Sequence, residues 1–251
     1  MAEVRDVEMG RASERAARPR SIAELSRVRA ALVVALTLVT GVTDAIGFTK
    51  LGGVFTSVMT GNMVLLGVAA GRSDGTLAIH TGVAFAGYVA GSFVGARIAG
   101  QASKPAPLWP RALTITLAVE LATFALFAAG WEAAGAAPTG NVALGLLCVN
   151  AAALGIQSAA ILRLGISGLS TTYLTGTLTT VIAALAARTP VRHVVRSIAV
   201  LAALILGAAI GATLAIHVPA AAPLGQLVIL AAVIAVAVAV FWRAGDHAPE
   251  G

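Results

Sequence analysis

An all-α, polytopic membrane fold is what this 251-residue chain predicts, and three observations lead there. Hydrophobic residues make up 58% and charged residues 11%, with a mean hydropathy of +0.91, whereas a soluble domain carries about a quarter charged residues. Between Ala30 and Trp242 the only acids are Asp44, Asp74, Glu120 and Glu132, so charge-poor runs of bilayer length follow one another. No run alternates polar and apolar residues with period two, which argues against a transmembrane barrel.

Residues 1–29 mix seven Arg with five acids, too polar for a cleaved signal peptide, and read as a basic, disordered cytoplasmic tail with a short surface helix in "SIAELSRVR". Eight hydrophobic stretches follow, at about 30–49, 53–71, 78–99, 111–130, 141–162, 168–187, 195–216 and 222–242. Each is near the twenty residues that cross a ~30 Å core. Residues 30–243 form the transmembrane domain and 244–251 a short cytoplasmic tail. Trp109, Trp131 and Trp242 fall at stretch ends, where indole rings favour the interface. The formal charge of +6 comes from tails and short loops rather than a basic domain, so no nucleic-acid partner is expected. Cys148 is the only cysteine and sits in an apolar run, which excludes an internal disulfide and a thiolate metal site.

The two halves, about 30–130 and 141–243, read as a repeat. "GVTDAIGFTKLGGVFTSVMTGNM" from Gly41 aligns with "GIQSAAILRLGISGLSTTYLTGTL" from Gly155, setting Thr60-Gly61 against Thr175-Gly176 with one insertion. Gly87, Gly91 and Gly95 form a small-xxx-small row whose counterpart is Ala203, Gly207 and Gly211; such rows let helix backbones approach closely.

Charge placement then chooses the topology. If the two Thr-Gly segments enter and leave on one side, fifteen Lys/Arg lie inside and only Lys50 and Arg72 outside, against twelve and five for eight full spans. The prediction is six transmembrane helices plus two re-entrant or broken Thr-Gly segments in an inverted repeat; eight spans in a parallel repeat is the alternative. Each broken segment is expected to fold into two helices of about eight residues, with the glycine as the bend, reaching the midplane. Broken helices paired in this way are how transporters build central binding sites.

"GVTDAIGFTKLGGVFTSVMTGNMVLLGVAAG" and "LGIQSAAILRLGISGLSTTYLTGTLT" together resemble the YoaK family of bacterial inner-membrane proteins, over roughly Ala30 to Trp242. The resemblance implies about six transmembrane helices in a bacterial inner membrane and brings no substrate or reaction with it.

Function must therefore come from residues. Asp44 lies inside the first span, and an ionisable group there is usually functional, although hydration or pairing with Lys50 would also account for it. Its counterpart is the Gln157-Ser158 pair. Glu120 sits in the middle of its span and needs a partner, a neighbouring helix's hydroxyl or an ion. Thr60, Gly61, Asn62, Thr175, Gly176 and Thr177, with Asn150 and Gln157, supply the hydroxyls, amides and freed backbone that a small solute would meet. They also suit mutual satisfaction at a tight bend. His80, His193 and His217 show no ligand spacing, so neither a metal nor another cofactor is expected.

The leading reading is a secondary transporter or permease for a small solute, with protons or cations as coupling ions at Asp44 and Glu120, and with both termini cytoplasmic. A non-transporting assembly or lipid-binding scaffold is the alternative. The glycine rows suit a homodimer contact as well as an internal one. A remote third reading is an intramembrane serine protease, from "GISG" around Ser167 and His217; the inverted topology puts the two at opposite faces, so no enzyme is expected.

Overall fold

A computed structural model of the chain describes residues 21–100, 107–164 and 174–242. Most of the tails, Lys104, Arg243 and the Ser167 motif lie outside the described residues. Eight α-helices appear among them: α1 Ile22–Lys50, α2 Met59–Arg72, α3 Gly75–Ala99, α4 Arg111–Ala133, α5 Gly140–Leu162, α6 Leu174–Ala186, α7 Val195–His217 and α8 Ala222–Ala237, which runs on as a π-turn over Val238–Trp242. Six are long and apolar enough to cross a bilayer; α2 and α6, with 14 and 13 residues, are not.

α1 starts earlier than expected. Ser21 closes a capping box with Glu24, accepting from the Glu24 N–H at 3.2 Å and donating its own N–H to Glu24 Oε2 at 2.9 Å. The stretch expected as a short surface helix and the first span are therefore one continuous 29-residue element. α1 and α5 are central: 72% and 61% of their most apolar windows are buried, against 22–39% for the other four long helices.

Glycines set the closest contacts. On α3, Gly87, Gly91 and Gly95 lie against the backbone of Cys148, Ala152 and Ile156 on α5, and Gly155 of α5 lies against Tyr88 and Ser92. On α7, Gly207 and Gly211 lie against Leu38 and Val42 of α1, while Gly41 of α1 meets Leu204 and Ala208. A Cβ on Gly91 would run into the Ala152 carbonyl oxygen, so only glycine permits this approach. In both pairs residue numbers rise together, which makes the paired helices parallel.

Two buried cores mark the two ends of the bundle. One joins Leu32, Val33 and Leu36 of α1 to Leu113 and Leu117 of α4, Ala160 and Ile161 of α5, Val200 of α7 and Val233 of α8. The other joins Ile46, Leu51 and Val54 to Ala84 of α3, Trp131 of α4, Ala143 of α5, Ala215 of α7 and Ala222 of α8. α1 thus ends where α3 begins, and α5 ends where α7 begins. The six long helices alternate in direction with no net crossing by α2 or α6. Eight spans would require α1 and α3 to point the same way, and that alternative fails.

Trp109 and Trp242 stay at a bundle end, Trp109 stacked on Phe241 at 5.6 Å and Trp242 under the Arg111 guanidinium at 5.6 Å. Trp131 lies toward the other end, fully buried within the protein, where it donates its indole N–H to the Pro219 carbonyl at 2.9 Å.

Candidate functional site

Non-helical backbone within a membrane protein needs internal partners for its N–H and C=O groups. Between α1 and α2 it runs from Leu51 to Val58, where Gly52 and Gly53 take φ of +104° and +71°. The next residues are held by two side chains. Asp44 Oδ1 accepts from the Thr56 N–H at 2.7 Å, the Thr56 hydroxyl at 2.8 Å and the Ser57 N–H at 2.8 Å, and Oδ2 accepts from the Ser57 hydroxyl at 2.5 Å. Asn62 clamps Phe55, accepting its N–H at 3.0 Å and donating to its carbonyl at 2.6 Å. Four donors suit a carboxylate, which only accepts. Asp44, 7% exposed, is therefore engaged by Thr56 and Ser57 rather than by Lys50, and it anchors a loop.

This revises the expected Thr-Gly bends. Gly61 is not a hinge; it sits in the first turn of α2, where a Cβ would meet Phe55 and Val58 at an ordinary 3.4 Å. The segment is one 14-residue helix behind a loop, not two half-helices. Thr60 is exposed, and Asn62 is buried against the loop. Thr175 and Gly176 likewise sit in the first turn of α6, with Thr175 exposed and Thr177 buried. α2 packs along α3 and α6 along α7, so the centre of the bundle is built from other residues.

At that centre α1, α4, α5 and α8 meet. Thr43 Oγ1 lies 3.0 Å from Gln226 Oε1, to which it donates, and Gln226 Nε2 donates to Asn150 Oδ1 at 3.3 Å. About one turn along α1, Gln157 Nε2 donates to Thr40 Oγ1 at 2.8 Å and to the Leu36 carbonyl at 3.3 Å. Ser158 is turned to its own helix, donating to the Leu154 carbonyl at 2.8 Å. Glu120 is completely buried, and neither carboxyl oxygen has a hydrogen-bond partner; the same is true of Asn150 Nδ2 and Gln157 Oε1. Buried polar atoms are nearly always paired, so a concentration of unpaired ones in the core calls for an explanation.

The sequence reading located Glu120, Asn150 and Gln157 and missed Thr40, Thr43, Gln226, Thr56 and Ser57. Gln226 had a signal, being the only polar side chain between Pro219 and Val240. The threonines had none, because a hydroxyl that bonds its own helix, as Thr40 does to Leu36, is common in any span. Among the described residues no group of three or more His, Cys, Asp or Glu is placed to hold a metal ion. His217 ends α7 in an exposed position.

Six alternating apolar helices around a buried polar seam define a polytopic α-helical membrane protein. The chain belongs to the DUF1275 family, described as a protein of unknown function, whose model matches residues 32–240. It is similar to the UPF0700 transmembrane protein YoaK of Bacillus subtilis (strain 168), at 37% identity over 150 residues, which cover 60% of this chain and 64% of the relative. The chain thus spans under two thirds of the length of that curated relative. No solved structure matches it.

Proposed function

We propose that this protein is a permease for a small solute in the bacterial plasma membrane, built as an inverted repeat with both termini cytoplasmic, and that it is not an enzyme. One observation carries the reading: the buried polar side chains gather at the seam between two tightly packed bodies. α3 with α5, and α1 with α7, are locked by glycine contacts; across the seam, α1 meets α5 through Gln157 and Thr40, and α8 meets α5 through Gln226 and Asn150. Polar groups that pair across a seam rather than within a body can change partners when the bodies move, as alternating access requires.

The contact pattern supports the repeat. α1 corresponds to α5 and α3 to α7, and the observed close pairs are α1 with α7 and α5 with α3. Likewise α4 packs on α5 as α8 packs on α1. Exchanging the halves leaves the pattern unchanged, and α1 and α5 run antiparallel, as an inverted repeat demands. In this reading α2 and α6 are re-entrant elements at opposite faces, and the solute meets the Asn150–Gln226–Thr43 level, where Asn150 Nδ2 is an unpaired donor.

Stopped-flow swelling of proteoliposomes against urea, glycerol, glycine and acetate tests the proposal. At least one solute is expected to enter faster than in protein-free vesicles, and Gln226→Leu and Asn150→Leu should each remove that excess while the protein still elutes as a folded species. Solute entry untouched by both substitutions would favour a scaffold.

A further inference from the structure

Glu120 and Gln157 stand at one height in the seam. Trp109 stacks on Phe241 at one end of the α4–α8 contact, and Trp131 bonds to Pro219 at the other. Glu120 is eleven residues from each tryptophan, which sets it level with Leu230. Gly130 packs on the Leu146 side chain, and ten residues onward in these antiparallel helices Glu120 falls beside Ile156, next to Gln157. The faces agree as well as the heights: Leu117 and Phe124, one turn either side of Glu120, share a buried core with Leu154 and Ile161, one turn either side of Gln157.

The unpaired atoms at this height, both Glu120 oxygens and Gln157 Oε1, are all acceptors. Among the described residues no side chain hydrogen-bonds to them as a positive partner. On the packed helices the other ionisable groups are Asp44, held by Thr56 and Ser57; Glu24, Arg27, Arg29 and Lys50 toward the ends of α1; His80 on α3, whose Nδ1 lies 2.8 Å from the Thr76 carbonyl, with the half-buried Tyr88 packed on the Trp131 core and the exposed Arg97 over the Phe93 ring near the helix end; Cys148 on α5, with Arg163 just beyond its end; and Arg196 and His217 at the ends of α7. α4 carries Arg111, which stacks on Trp242, and Glu132 near its far end, and α8 carries none from Ala222 to Trp242. Two acceptors facing one core, with no donor between them, are stabilised by a small positive charge that both can approach.

We propose that Glu120 and Gln157 bind one monovalent cation, a proton or an alkali ion, at the seam between the two helix bodies. The proposal deepens the permease reading by giving it its coupling ion, and it rests on that reading for its role in transport but not for binding. It moves the ion site from Asp44, which the loop occupies, to the centre of the bundle.

The test uses the full chain in detergent with dicyclohexylcarbodiimide, which adds to a buried protonated carboxyl. The carboxyl oxygen bonds to the carbodiimide carbon, the acid proton moves to its nitrogen, and nothing leaves, so intact mass reports the adduct. Wild type is expected to be labelled and Glu120→Gln not. If sodium or potassium chloride, but not choline chloride, protects wild type and raises its Tm, the ion is an alkali cation. If labelling falls as pH rises and the salts are equivalent, it is a proton. Gln157→Leu, which keeps the carboxyl, should weaken the alkali or pH response about tenfold through the loss of one charge-assisted contact, and keeps the test open should Glu120→Gln fail to fold. No adduct at any pH together with no salt response, or an adduct that persists in Glu120→Gln, overturns the proposal. Neither readout uses solute flux, so binding without transport would sink the permease reading alone.

Discussion

Replacing Asp44 with alanine removes the acceptor shared by two backbone N–H groups and two hydroxyls in a buried loop. The hydroxyls can reorient, but the N–H groups of Thr56 and Ser57 cannot, and stranding them should cost about 3 kcal/mol. A lower thermal midpoint and faster proteolysis between α1 and α2 are the expected measurements. Gly52→Ala should act on the same loop for a different reason: φ of +104° strains any side chain, and the new methyl would strike the His80 ring. A loss of about 1–3 kcal/mol is expected. Gly61→Ala, by contrast, should leave the midpoint nearly unchanged, since its Cβ makes ordinary contacts in a regular helical turn. The sequence drew attention to Thr-Gly-Asn, yet of the three only Asn62 has work in the fold, and the strained glycines come eight and nine residues earlier. A string of residues does not reveal which glycine takes a positive φ, because that depends on where the chain must turn to bring Thr56 and Ser57 back to Asp44.

Helices are joined here by carbonyl oxygens facing glycine Cα atoms, an arrangement that gains van der Waals contact over a long stretch and adds weak Cα–H···O contacts. Gly91→Leu should separate α3 from α5 and Gly207→Leu should separate α7 from α1, each yielding aggregated or degraded protein in size-exclusion profiles. Gly67→Ala and Gly145→Ala are the matched controls. A Cβ there meets nothing within 4 Å, and alanine's better helix propensity should make them neutral or stabilising by up to about 1 kcal/mol. The row Gly87, Gly91, Gly95 and its counterpart were legible in sequence as close-contact stripes. Their partners were not, because a small-xxx-small stripe says how near a neighbour comes and nothing about which neighbour it is.

Across the whole molecule, the direction of each long helix is a testable property. In a background lacking Cys148, cysteines at Ser73 and Gly135 should react with an impermeant maleimide from one side of the membrane, and a cysteine at Arg188 from the other. Eight crossings would place all three on one side. The split of fifteen Lys/Arg against two that six spans would give, set beside twelve against five for eight, anticipated the six-span arrangement, because moving a cation across the bilayer is expensive during insertion.

By itself the sequence determined that the chain is an all-helical membrane protein, that charge placement favours six crossings over eight, and that Glu120, Asn150 and Gln157 are polar where lipid would not tolerate them. These follow from composition, length and charge placement, which the bilayer reads directly. Only the tertiary structure decided that Asp44 belongs to a loop, that Gln226 and two threonines complete the central seam, and that Glu120 is buried without a hydrogen-bond partner. Partner choice inside a bundle depends on the rotation and height of each helix, and those are fixed by the glycine contacts between distant segments rather than by any local run of residues.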